Sequence, residues 1–182
     1  TWTDQSVQNT SASSLRNHNV PGDGKFDQGV FPARLDLALG RIDFEQMPAF
    51  GEKNALLLQY FEKNHRFRKG MVTLPELGVI DDNFQSFTEG FSAPAWRGFD
   101  ALFGPQRILE ADFFGTGQAN GALWGYGCGA GTYTSAGGVG NSNGFASDSL
   151  AIVFNMLFGS YFGDWDNSNA FLRAPLASKG LG

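Results

Sequence analysis

Two glycine-rich stretches, residues 125–131 and 158–166, hold the side chains best suited to chemistry. Cys128 in the first stretch is the only cysteine of the chain, which excludes an internal disulfide and a cysteine-rich metal site. The second stretch contributes Ser160, and a serine is barely nucleophilic at neutral pH unless a base stands beside it. The sequence therefore favours structural roles, with Cys128 as a small buried residue between glycines and Ser160 as a tight-turn residue.

Two pairs of aspartates offer oxygen ligands for a metal ion. Asp23 and Asp27 could contribute to a calcium loop, but their spacing lacks the full EF-hand pattern, so a plain Asp-Gly turn fits better. Asp164 and Asp166 could hold calcium or cap the last helix, and we expect the cap. The sequence thus predicts no cofactor, with calcium as the alternative at these four positions.

Aromatic residues surround both glycine-rich stretches. Exposed aromatic rings beside carboxylates and amides suit the binding of a sugar or of an extended peptide. The alternative is that most of these rings pack in the core. The candidate binding residues are Trp124, Tyr133, Tyr161 and Trp165.

Two apolar runs precede the glycine-rich stretches and are predicted to position them. Residues 122–124 and 150–157 each break into glycine and small polar residues at their C-terminal end. Apolar runs bounded by turn residues are typical of buried strands in a parallel sheet. Open α/β folds place their sites at the carboxyl ends of such strands, which is where both stretches begin.

Strands alternate with helices along the chain, which predicts an α/β fold with a mostly parallel sheet flanked by helices. Helical spacing of apolar residues, with a proline at the first position, predicts an amphipathic helix from Pro48 to about His65. Residues 167–178 are predicted to be helical, with Asp166 or Ser168 as the cap. The remaining predicted elements are strands over residues 35–42, 79–80 and 107–110, a short helix over 95–103 and a connector over 111–116.

The composition limits the class of protein. With 182 residues, of which 42% are hydrophobic, the chain can form one domain with a sizeable core, and we assign residues 28–182 to it after a polar irregular leader at 1–27. The net charge of −5 argues against a nucleic-acid partner, and no apolar run is long enough to span a bilayer. Few lysines and many small polar and aromatic residues favour a secreted bacterial protein, either a mature product or a portion of something longer.

Four short motifs occur in an order that points to a known family. Gly-Asp-Gly at 22–24 and Leu-Ala-Leu-Gly-Arg-Ile-Asp at 37–43 precede the predicted helix. Two strand ends then read Trp-Gly-Tyr-Gly-Cys-Gly at 124–129 and Phe-Gly-Ser-Tyr-Phe-Gly-Asp-Trp at 158–165. In this order the motifs resemble the gingipain-type cysteine peptidase domain, whose fold is similar to that of caspases. The resemblance spans about residues 23–178.

The resemblance assigns roles to three of the candidate residues. In the family, one strand ends in the catalytic histidine and the next ends in the cysteine nucleophile. The resemblance places Tyr126 or Cys128 at the histidine position and Ser160 at the cysteine position. Peptidase chemistry needs a thiolate beside an imidazole, but His18 lies in the polar leader and His65 at the end of a helix. The resemblance therefore implies a domain that is degenerate at its catalytic positions.

The resemblance also implies a sheet that is open at one edge, because the family has further strands before residue 37 and this chain has almost no apolar sequence there. A neighbouring chain would complete such a sheet, or the sequence is an incomplete portion of a larger secreted protein. We expect an extracellular domain without peptidase activity that acts as a scaffold or a binding module for protein or glycan. The alternatives are a hydrolase of altered chemistry that uses Ser160 or Cys128, and a structural subunit of an extracellular assembly.

Overall fold

The computed structural model describes residues 40–86, 90–164 and 166–181. The chain divides into two compact units, residues 1–42 and residues 43–182, and all the helices and strands described below lie in the second unit. Residues 35–39 of the predicted first strand and the predicted domain boundary after residue 27 fall outside the described residues. Residues 40–42 are described and belong to no strand.

The second unit is built on a four-stranded sheet in which all strands are parallel. The described strands are β1 (Gly78–Asp82), β2 (Ile108–Glu110), β3 (Ala122–Cys128), β4 (Ser135–Ala136), β5 (Gly140–Asn141) and β6 (Ile152–Phe158). The spatial order in the sheet is β2-β1-β3-β6, and β4 and β5 form a separate antiparallel ribbon. This confirms the predicted α/β class with a mostly parallel sheet.

Helices flank the sheet on both faces. The described helices are α1 (Lys53–Arg68), α2 (Ala93–Phe103), α3 (Phe113–Ala119), α4 (Ser142–Ser147) and α5 (Ala174–Ala177), with 3-10 turns at Pro105–Arg107 and Phe171–Arg173. On one face, Phe99 of α2 packs with Ile80 and Tyr126, whereas on the other face Phe113 of α3 packs with Val79 and with the last helices. None of the described helices is long and apolar enough to cross a membrane.

Glycines let neighbouring elements pack directly on the backbone of β3. A Cβ atom at Gly125 would lie 2.7 Å from the ring of Phe113, and one at Gly127 would lie 2.6 Å from Val139. Both glycines adopt the extended conformation of the strand. The predicted strand at residues 122–124 therefore continues through these glycines, which the sequence pattern had suggested were the start of a loop.

The first helix begins later than predicted. It starts at Lys53 rather than at Pro48, because the Glu52 carboxylate caps it by accepting the backbone N–H groups of Asn54 and Ala55. The residues between Pro48 and the cap form a turn instead. The prediction that Pro48 occupies the first position of the helix is thus wrong, whereas the prediction of the helix itself is confirmed.

Two helices lie where the sequence predicted none. Asp112 caps α3 by accepting the N–H of Gly115, so that a helix stands in place of the predicted connector. In the same way, Asn141 caps α4 by accepting the N–H of Gly144. Asp and Asn in such positions are typical helix starts, but both helices are too short to show an apolar period.

The last segment of the chain is less helical than predicted. A 3-10 turn begins after Ala170 and α5 begins after Arg173, and neither start has a side-chain cap. The predicted cap by Asp166 or Ser168 is therefore wrong. The predicted short helix and the strands near residues 79 and 108 are confirmed as α2, β1 and β2.

Candidate functional site

The carboxyl ends of β1, β3 and β6 lie side by side, because the register pairs Asp82 with Cys128 and Cys128 with Phe158. We call this region, residues 81–83, 128–131 and 158–161, the carboxyl edge. From β1 the chain first adds β2 on one side and then β3 on the other, so the order of the strands reverses between β1 and β3. Open α/β sheets bind ligands in the crevice at such a reversal, which makes the carboxyl edge the candidate site.

Cys128 ends β3 with its thiol completely buried. The Sγ atom lies 3.1 Å from Oδ1 of Asp82 and donates a hydrogen bond to it. Burial, followed by the hydrogen bond to Asp82 and the charge of that carboxylate, raises the pKa of Cys128 to about 12. The thiol therefore keeps its proton at neutral pH, and a protonated thiol is not a nucleophile.

The Asp82 carboxylate is the acceptor around which this end of β1 is arranged. Besides the thiol, it accepts the backbone N–H of Phe84 at 2.9 Å and the hydroxyl of the buried Ser92. Burial acts to raise the pKa of Asp82, but the hydrogen bonds from Ser92, Cys128 and Phe84 outweigh it and lower that pKa below its usual value. An ionised Asp82 with three donors is thus the neighbour of the thiol, and it stabilises the protonated rather than the ionised sulfur.

Tyr126 lies on the same face of β3 and is also buried. Its hydroxyl donates a hydrogen bond to the carbonyl oxygen of Phe91 at 2.6 Å, which fixes the chain just before α2. Burial, with smaller effects from Cys128 and Asp82, raises the pKa of Tyr126 above its ordinary value. The hydroxyl therefore stays protonated and serves as a donor.

Asp81 points to the opposite face of the sheet. Its carboxylate accepts the backbone N–H of Phe113 at 3.0 Å, at the start of α3, and the side-chain amide of Asn83 at 2.7 Å. Burial raises the pKa of Asp81, and the nearby charges of Asp112 and Asp82 add to the effect. Neither Asp81 nor Asp82 was among the candidate residues, although two adjacent carboxylates directly after an apolar pair mark the end of a buried strand.

Ser160 lies exposed in the turn that follows β6. A Cβ atom at Gly131 would lie 2.2 Å from the backbone oxygen of Ser160, so the loops after β3 and β6 touch each other. His65, the one histidine in the described part of the chain, lies in the last turn of α1, and His18 falls outside that part. The structure thus brings Ser160 to the carboxyl edge, but it brings no described imidazole there.

Tyr133 and Tyr161 form an exposed aromatic pair beside these loops. Their ring centroids lie 5.1 Å apart in an edge-to-face arrangement, and the residues are 44% and 58% exposed. Tyr161 has φ of +67°, a left-handed backbone conformation that is rarely adopted by a bulky residue. The fold therefore holds one ring of the pair in place against a local cost in backbone energy.

The other predicted binding and metal residues do not gather with this pair. Trp124 stacks on Phe154 at 4.6 Å, at the start of β3, far along the strand from its carboxyl end. Asp164 and Asp166 are exposed, and among the described residues no three His, Cys, Asp or Glu side chains are grouped as a metal site would need. Asp23, Asp27 and Trp165 fall outside the described residues. Calcium at the aspartates therefore stays an untested alternative to the prediction of no cofactor.

Comparison with known proteins gives no match for this chain, whether among family models, curated proteins or solved structures. An inference about its function therefore rests on the order of its strands and on the contacts at the carboxyl edge.

Proposed function

We propose that the chain is a secreted, gingipain-type domain that lacks peptidase activity and serves as a binding module for glycan or protein. The observation that carries this proposal is the exposed Tyr133–Tyr161 pair, which lies beside the loops of the carboxyl edge, where the Cys128 thiol is buried and protonated. Exposed aromatic rings can bind a glycan or a peptide, whereas a buried and protonated thiol cannot act as a nucleophile, so this edge is suited to binding rather than to catalysis.

The chemistry of the carboxyl edge supports the first half of the proposal. In the resembling family, the loops after two neighbouring strands supply a histidine and a cysteine. Here the corresponding loops touch at Gly131 and Ser160, but the Cys128 thiol donates to Asp82. A carboxylate beside a thiol raises its pKa, whereas an imidazolium would lower it.

The aromatic pair supports the second half. A tyrosine ring buries a large apolar face on a sugar or a peptide, and its hydroxyl still reaches water. The side chains of Thr132, Thr134 and Ser160 are exposed close to the pair along the chain, and they add donors and acceptors. The strained backbone at Tyr161 is typical of a ligand-binding position.

The first experiment tests for an activated nucleophile. The native protein is treated with iodoacetamide and with a fluorophosphonate probe, and labelling is read by intact mass against the urea-unfolded chain. We expect Cys128 to react at least about tenfold more slowly in the native protein, because its thiol is buried and protonated, and we expect no label on Ser160. Faster labelling of either residue in the native state would show an activated nucleophile, which would contradict this proposal and favour the hydrolase of altered chemistry.

The second experiment tests binding at the aromatic pair. The native protein is screened on an array of oligosaccharides, and bound sugars are titrated calorimetrically against the variants Tyr161→Ala and Tyr133→Ala. Loss of one stacking ring should weaken binding about tenfold. Phe61→Ala, which removes an exposed ring from α1, is the matched control and should leave binding unchanged. A sugar that binds all four proteins equally, or an array with no bound sugar, would contradict glycan binding at this pair.

A further inference from the structure

The two rings of the Tyr133–Tyr161 pair are in contact and are free to move. Their centroids lie 5.1 Å apart with the ring planes inclined by 61°, so the edge of one ring faces the other ring. The residues are 44% and 58% exposed, which leaves both rings room to rotate without displacing the core. A small rotation is therefore enough to bring the edges of the two rings together.

The loops that carry these rings are packed backbone against backbone. A Cβ atom at Gly131 would lie 2.2 Å from the backbone oxygen of Ser160 and 2.4 Å from its nitrogen, so no side chain separates the loop after β3 from the turn after β6. The carbonyl oxygen of Tyr133 accepts the N–H of the fully buried Phe171 at 2.8 Å, and Tyr161 is held at φ of +67°. The folded backbone thus keeps the two rings next to each other.

The other two of the four tyrosines in the chain are placed differently. Tyr126 is buried, and its hydroxyl donates to the carbonyl oxygen of Phe91, a group that does not take up a proton at neutral pH. Tyr60 is partly buried, and its ring contacts Phe44 and Phe61. Among the described residues, the exposed pair is the only ring contact between two tyrosines. The fold therefore brings together one pair of accessible phenols.

Neighbouring phenols undergo a characteristic oxidation. Loss of one electron and one proton converts a phenol to a phenoxyl radical, whose unpaired electron is shared between the oxygen and the Cε carbons. Two such radicals join through a bond between one Cε carbon of each ring, and the hydrogen atoms of those two carbons move to the oxygens, which restores both hydroxyls. The coupling therefore releases two electrons and two protons in total, and one molecule of hydrogen peroxide takes them up to give two molecules of water.

Proximity within the fold favours this coupling over a reaction between molecules. Radicals on separate proteins meet only by diffusion, whereas the rings of Tyr133 and Tyr161 are already in contact. Groups held together in one molecule react as if their concentration were very high. In dilute solution, the coupling partner of either ring is consequently the other ring of the pair.

We propose that Tyr133 and Tyr161 form a modification site, at which a one-electron oxidant of phenols, of the type of a peroxidase with hydrogen peroxide, couples the two rings into a dityrosine bridge. The bridge ties the loop after β3 to the turn after β6, with β4, β5, α4 and β6 between the two joined residues. Such a bridge restricts the unfolded chain as a disulfide does, and a chain with one cysteine has no internal disulfide. The inference goes beyond the proposed function and does not rest on it, because the coupling needs only the two phenols.

The test treats dilute native protein with a haem peroxidase and hydrogen peroxide, and the product is analysed by intact mass and by peptide mapping. We expect a monomer that has lost two hydrogen atoms, with the fluorescence of dityrosine and with a cross-link between the peptides that contain Tyr133 and Tyr161. Oxidation of methionine or cysteine adds oxygen and raises the mass, so mapping distinguishes it from coupling. The urea-unfolded chain should form this cross-link at least about tenfold more slowly, because its rings are no longer held together.

Three variants assign the cross-link to the pair. Tyr133→Phe and Tyr161→Phe each keep an aromatic ring but lack one hydroxyl, and each should lower the yield of cross-linked monomer at least about tenfold. Tyr60→Phe removes the hydroxyl of a partly buried tyrosine and is the matched control, which should leave the yield unchanged. Tyr133→Phe also retains a ring that can stack on a sugar, so its loss of coupling is independent of glycan binding. A failure of the glycan experiment therefore does not affect this one.

Three results would overturn the proposal. One is a native protein that loses no hydrogen under conditions in which free tyrosine is coupled. Another is a product in which other tyrosines, or separate chains, are joined in place of this pair. The third is a cross-link that forms equally fast in the native and in the unfolded protein, which would mean that the contact between the rings plays no part.

Discussion

At the scale of single residues, the carboxyl edge has hydrogen-bonded groups where the resembling peptidases have reactive ones. The thiol of Cys128 and the hydroxyls of Tyr126 and Ser92 are all buried, and each has an acceptor. Two of these three donors point to the single carboxylate of Asp82. Such a network holds β1, β3 and the start of α2 together, and its energy contributes to stability because a buried donor without a partner is costly.

The network predicts how stability depends on pH. In the unfolded chain the Cys128 thiol ionises near its ordinary pKa of 9.0, whereas in the folded protein that pKa is about 12. Between these values the unfolded chain has lost the proton that the folded protein retains. The stabilisation due to Cys128 is therefore complete below pH 9 and is lost as the pH rises towards 12.

Urea unfolding of the native protein and of Cys128→Ala, from pH 8 to pH 11, measures this effect. Cys128→Ala should be less stable at pH 8 by about 1–2 kcal/mol, because it removes buried sulfur and a donor to Asp82. The difference in unfolding free energy between the two proteins should then shrink as the pH rises. A difference that stays constant over this range would show that the thiol titrates alike in both states.

At the scale of elements, β3 determines how closely the other layers approach the sheet. Gly125 and Gly127 carry no side chain on one face of β3, so Phe113 of α3 packs directly on the backbone of the strand. A methyl group at Gly125 would lie 2.7 Å from Phe113 and 2.9 Å from Ile152, and both of these side chains are completely buried. There is consequently no free space into which they can move.

Gly125→Ala should therefore destabilise the protein by about 1–3 kcal/mol through overpacking. Gly98→Ala is the matched control, since Gly98 lies inside α2 and a Cβ atom there meets no other atom within 4 Å. That substitution should stabilise the protein by about 0.5–1 kcal/mol, because alanine loses less backbone freedom on folding. Thermal unfolding followed by circular dichroism compares the two, and equal melting temperatures would contradict the proposed packing of α3 on β3.

The same elements show what the sequence could and could not predict. The apolar runs before Asp81 and Gly159 predicted strands, since burial on both faces gives continuous apolar sequence. The glycines of β3 suggested a loop, because a sequence pattern does not distinguish a glycine that turns the chain from one that admits a neighbouring ring. Cys128 and Ser160 were correctly expected at strand ends, but the contact of Cys128 with Asp82 joins residues 46 positions apart and has no local signal.

At the scale of the whole molecule, the second compact unit contains every buried apolar cluster that the structure describes, and the earliest member of these clusters is Phe44. Phe44 and Met47 pack with Leu56 of α1 and with Ala177 of α5, so the first residues of the unit join its first and last helices. The guanidinium of Arg173 is buried at this junction, where it lies 3.7 Å from Asp43 and donates to the carbonyl oxygen of Glu45 at 2.6 Å.

These contacts predict where the chain can be shortened. A chain that begins at Asp43 retains every described member of the three clusters and the described partners of Arg173, so it should unfold in a single cooperative transition. A chain that begins at Lys53 lacks Phe44 and Met47, and it removes Asp43 from the buried guanidinium of Arg173, which together should cost about 3–5 kcal/mol. Calorimetry distinguishes the two, with a sharp transition expected for the longer chain and a broad or strongly lowered one for the shorter. If both chains unfolded alike, the junction around Arg173 would contribute little, and the sheet with α2 and α3 would be sufficient to specify the fold.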